Sequence, residues 1–170
     1  MGKFLDELRL QGLWPGKYRA EVVESNDPKK LMRVRCVIPE VLGPSVVSDW
    51  AKPVVPLLAA KGAGFVAVPP VNSRVWVEFE SWDVNRPIWV GYWYAEPDGK
   101  SEAPDELTGS YGEVYGIRTP GGNIVTINDG TGEVSLTNKN GDNVTVKSGI
   151  VNVIAKSGTV VIDANNVRIN

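Results

Sequence analysis

The chain has 170 residues, with 18 Lys and Arg against 20 Asp and Glu, no His, one Cys and a formal net charge of −2. A composition of 42% hydrophobic and 22% charged residues provides for a core and excludes a disordered chain, and the length suits one domain or a small domain with an appendage. The near-neutral balance argues against nucleic-acid binding through bulk positive charge. The missing His removes the commonest general base and metal ligand, and the lone Cys36 excludes an internal disulfide and a multi-cysteine zinc site. No apolar stretch approaches the ~20 residues of a membrane helix. Asp6 and Glu7 stand where a secretory leader needs an apolar run. The expectation is a soluble intracellular product that is not an enzyme and carries no cofactor or metal.

In chain order, residues 1–14 are an N-terminal segment with a helical turn or two on Phe4, Leu5 and Leu8. Residues 15–95 have the pattern of a small β-barrel. Tyr18, Ala20 and Val22 share one face of a first strand over residues 17–24. Turn residues Asn26, Asp27 and Pro28 follow. Residues 31–38 alternate, with Val34, Cys36 and Ile38 on one side and Arg33 and Arg35 on the other. After a long Pro-rich excursion over residues 41–70, Val75, Val77 and Phe79 face inward while Trp76, Glu78 and Glu80 point out. A turn over residues 82–87 leads into a strand over residues 88–94, in which Trp89 is read as outward. Short antiparallel strands rich in β-branched and aromatic residues predict a closed barrel.

The composition shifts sharply near Tyr115. All aromatic residues lie at or before that position and all prolines at or before Pro120. Residues 96–116, polar and holding two of those prolines, read as a linker. Residues 117–170 form a repeat of turn residue, x, aliphatic, x, aliphatic. Its copies start at Gly132, Asp142, Gly149, Gly158 and Asn165, with a looser first copy at Gly122. Short strands at a near-constant period mark a β-solenoid or prism. An ordinary sandwich needs larger side chains to fill a layer about 10 Å thick, and a single-chain solenoid lacks the necessary turns. Three intertwined chains remain. They would form a triangular prism about 29 Å long with two aliphatic side chains per strand on the axis. The axial candidates are Val134, Leu136, Val144, Val146, Val151, Val153, Val160, Ile162, Val167 and Ile169. The fold class is therefore all-β, a barrel followed by a short intertwined trimeric β-helix.

Several motifs now carry a resemblance. RVRCVIPE from Arg33, WAKP from Trp50, VPPV from Val68, VWVEFE from Val75 and RPIWVG from Arg86 occur in order. Together they resemble the barrel domain of the baseplate assembly protein V and cell-puncturing spike family of contractile injection systems. IRTPGG from Ile117 and the valine repeats are similar to that family's trimeric β-helix. The resemblance implies an OB-fold barrel (the oligonucleotide/oligosaccharide-binding fold) and a homotrimer at the centre of a virion baseplate or equivalent injection particle, made in the producing cytoplasm. It implies docking on a baseplate hub protein, a separate tip-capping protein, and transient contact with the target envelope during piercing. The linker has no room for the lysozyme domain that some members carry, and without His the chain lacks the iron-binding tip of others.

The alternative function is a free OB-fold module binding single-stranded nucleic acid or glycan through tryptophan platforms. Glu78 and Glu80 share the Trp76 face and would repel phosphates, so no nucleic-acid partner is expected. Cys36 on an apolar face reads as core. The segments 129–132 and 138–142 offer oxygen ligands but lack the spacing of a calcium loop, and prism corners need the same residues.

Overall fold

The computed structural model describes residues 2–163. Two compact units divide between Ser101 and Glu102.

The first unit opens with α1 (Gly2–Leu10), which buries no side chain. The strands are β1 (Tyr18–Glu24), β2 (Arg35–Val37), β3 (Lys52–Pro53), β4 (Ala59–Ala60), β5 (Ala63–Gly64), β6 (Arg74–Phe79) and β7 (Pro87–Tyr92), with a single helical turn α2 (Pro39–Leu42) after β2. The main sheet has the order β2-β1-β6-β7-β3. Its ends are joined where Val34 and Ala51 exchange backbone hydrogen bonds of 3.1 and 2.8 Å. The strands therefore curl into a ring, and every edge of the barrel finds a partner at that point. Alternate residues fill the interior: Tyr18, Ala20 and Val22 from β1, Cys36 from β2, and Val75, Val77 and Phe79 from β6, with Val34, Ile38, Ala51 and Trp89.

Two expectations are corrected here. The strand expected from residue 31 begins only at Arg35, because Asp27 organises the preceding loop. Its carboxylate accepts backbone N–H bonds from Lys29, Leu31 and Arg33, and Lys30 and Met32 take up positive φ. A side chain that satisfies three backbone donors competes directly with the ladder. Trp89, expected to point outward, is 6% exposed, and its indole N–H donates to the Met32 carbonyl at 3.1 Å. Pairing between β6 and β7 shifts register between Trp76 and Val77, so that Trp76 faces Gly91 and Val77 faces Trp89. The bulge reverses the alternation. Trp89 enters the core, and Trp93, four residues on, reaches the outer face beside Trp76.

The second unit comprises a short helix α3 (Asp105–Thr108) and strands β8 (Val114–Arg118), β9 (Ile124–Asn128), β10 (Glu133–Thr137), β11 (Asn143–Lys147) and β12 (Ile150–Ile154). The stretch read as a linker thus carries α3 and the start of β8. These five strands form one antiparallel meander in sequence order. Tight connections account for it, above all Ser148-Gly149 between β11 and β12. Both residues have positive φ, 46° and 79°, the twist that two-residue hairpins require. The expected intertwined trimeric β-helix is not shown: β9, β10 and β11 each have both edges filled by strands of their own chain.

Candidate functional site

Within the meander, the register stacks the odd positions of each copy into two rows. One runs Tyr115, Ile127, Val134, Val146, Val151, and the other Ile117, Val125, Leu136, Val144, Val153. Every member lies on the same face, because side chains alternate with period two and directly paired residues share a side. In the single chain all ten are 42–65% exposed. The opposite face carries the small polar row Gly116, Thr126, Ser135, Thr145, Asn152 along the same pairings. Thr126 and Ser135 hydroxyls lie 2.7 Å apart across β9 and β10. One side of the sheet is lined by the two rows, and the other carries this polar row in the middle of the strands with Ile124, Ile150 and Ile154 at their ends.

Six of the ten axial candidates, Val134, Leu136, Val144, Val146, Val151 and Val153, fall in these rows. Val160 and Ile162 lie outside any strand, 46% and 70% exposed. Val167 and Ile169 lie outside the described residues. Four further members, Tyr115, Ile117, Val125 and Ile127, complete the face without having been expected there. The looser first copy put Ile124 and Thr126 in the aliphatic positions. The 119–123 turn, closed by Thr119 N–H donating to the Asn123 carbonyl at 2.8 Å, sets the register one residue later. Ile124 consequently pairs with Arg118 and Thr137 on the other side. The available signal was the alternation Tyr115, Ile117 followed by Val125, Ile127.

Beyond β12, the Lys156 backbone N–H donates to Asp142 at 2.8 Å, and Asn138 Nδ2 donates to the other carboxylate oxygen at 2.8 Å. The Asn138 amide, then the Lys156 N–H, holds the Asp142 carboxyl below its ordinary range. The segment 138–142, weighed earlier as a cation loop, spends its oxygens on its own turn. In the barrel, the Cys36 thiol is pushed up to about 12 by burial, which leaves it protonated at neutral pH and a poor nucleophile. Trp76, weighed as a stacking platform, packs at 6.2 Å against Trp93 with Arg19 over both rings.

Residues 18–94, the span of this closed barrel, match the model of the type VI secretion system/phage-baseplate injector OB domain. The barrel of this chain belongs to that baseplate injector family. No curated protein matches the chain. The family match supports a structural role related to a phage baseplate or type VI secretion spike, in association with a baseplate complex.

Proposed function

We propose that this chain is the structural central spike of a phage baseplate or phage-like contractile injection system, a homotrimer that docks on the hub and helps to pierce the target envelope when the sheath contracts. The observation that carries the reading is the uncovered two-row face of the second unit. Nine aliphatic side chains and Tyr115, all 42–65% exposed in two rows on one side of the sheet, form a patch that a lone protein does not leave in water. The face is only two residues wide. Three such faces close around an axis as a triangular prism, each chain supplying one wall and its small polar row facing outward. The in-chain meander means that the walls associate through side chains, with the ladders already complete. The role is structural, with no catalytic step.

Native mass spectrometry tests it directly. The reading expects three times the 18.5 kDa chain, and a monomer at micromolar concentration overturns it. Removal of residues 102–170 should abolish the trimer and leave a folded barrel.

A further inference from the structure

Across the described residues, Arg9, Arg33, Arg35, Arg74, Arg86 and Arg118 each pair with a carboxylate. Arg19 does not. It leaves the outer face of β1 with its guanidinium carbon 4.8 Å from the Trp93 ring centre and 5.7 Å from that of Trp76. Both rings are fixed. Trp93 donates its indole N–H to the Val75 carbonyl, and Trp76 sits opposite Arg19 in the β1–β6 register. The other cations of this face are spent, Lys17 on Glu78 at 3.0 Å and Arg74 on Glu21. Arg19 also borders a groove of about 350 Å³ whose walls include Val37, Pro39, Pro44 and Trp93, with the Glu21–Arg74 pair on its rim.

A guanidinium stacked on aromatic faces keeps its N–H edges free and loses little side-chain entropy on binding, which favours planar, two-pronged recognition of a carboxylate. The apolar walls give an extended chain somewhere to bury neighbouring side chains, and their two prolines make that wall stiff before binding. We infer that this groove is a docking site for an extended segment of another protein that presents an Asp or Glu between apolar residues, with the carboxylate on Arg19. Charge complementarity selects this occupant, because the face already balances its other charges internally and has one cation left over. A nucleic-acid strand is disfavoured, since its phosphates need several cations and this face leaves only Arg19 without a carboxylate partner among the described residues. The inference stands on the barrel alone and does not depend on trimer formation.

The test titrates the full chain with two mixtures of capped pentapeptides. One has Asp fixed at the centre and the other Asn, each with Val, Leu, Pro and Phe varied at the flanking positions. Tryptophan fluorescence excited selectively reports binding. The Asp mixture is expected to saturate with a Kd at or below about 1 mM, and the Asn mixture to bind about tenfold more weakly. Arg19→Gln should lose the preference for Asp, and Arg19→Lys should recover part of it. Equal binding of the two mixtures, an undiminished preference in Arg19→Gln, or no saturable binding of either mixture overturns the inference. The Asp–Asn comparison is made on the unaltered protein, so it decides the matter even if a variant fails to fold.

Discussion

Arg33 closes on Asp27 through Nη2 at 2.6 Å and Nε at 3.1 Å, in a pair whose side chains are 14% and 4% exposed. Trp50 stacks on the same guanidinium at 5.3 Å. The guanidinium, foremost, and the three backbone N–H donors hold the Asp27 carboxyl well below the usual carboxylate range. A carboxyl whose folded pKa is depressed contributes stability that is present above its unfolded value, about 3.9. That contribution is lost as pH falls through the lower folded value. The barrel should therefore lose stability from about pH 4 downward. Asp27→Asn should be less stable at neutral pH and should respond less to acid, as urea midpoints measured from pH 7 to pH 2.5 will report. An unchanged acid response in the variant would remove Asp27 from the account.

Leu136→Asp places a carboxylate in the middle of the second row. In the proposed trimer three of them face one another without partners, and burying even one unpaired charge costs several kcal/mol. Analytical ultracentrifugation should show loss of the trimer, while circular dichroism should show that the strands of the barrel persist. A trimer of normal mass would mean that the two-row face is turned to solvent.

Gly116 tolerates no side chain. A Cβ there would lie 2.3 Å from the Val125 carbonyl oxygen and 2.8 Å from Leu107 Cδ2, where α3 packs on β8. Forcing atoms into such a contact shifts backbone and costs roughly 1–3 kcal/mol. Gly116→Ala should lower the melting transition of the second unit and leave that of the barrel in place, which calorimetry can resolve if the two transitions are separate.

Cys36 should resist a thiol reagent in the native protein at pH 8, because the thiol is protonated and enclosed. In denaturing urea it should react to completion within minutes. The labelling rate in native buffer thus measures opening of the barrel. Fast native labelling would mean that the ring does not hold between Val34 and Ala51.

The barrel core was legible because β1 and β6 obey simple alternation, and Val34, Cys36 and Ile38 keep it even where the strand itself is short. Trp89 was not, since a bulge at the β6–β7 pairing inverts the phase and leaves no mark in a run of apolar residues. The late start of β2 escaped for a related reason. Asp27 was recognised as turn chemistry, but the reach of one carboxylate to a donor six residues away belongs to three dimensions. In the second unit the aliphatic positions that the repeat marks in β10, β11 and β12 share one face of the sheet. The offset of β9 came from a five-residue turn, whose length sets register in a way that counting from its glycine does not. Arg19 had no sequence signal, because its ring neighbours come from two other segments.

The meander has one further consequence, for the order of events during biogenesis. Each strand from β8 to β12 pairs with the strand next to it in the chain, and such short-range ladders form quickly. The sheet is therefore complete in a solitary newborn chain, with its hydrocarbon rows still wet. In the proposed trimer the remaining step is encounter, which accelerates with the concentration of identical chains. On that reading, low expression prolongs the interval in which the bare face invites mistaken company, and synthesis of many copies close together shortens it.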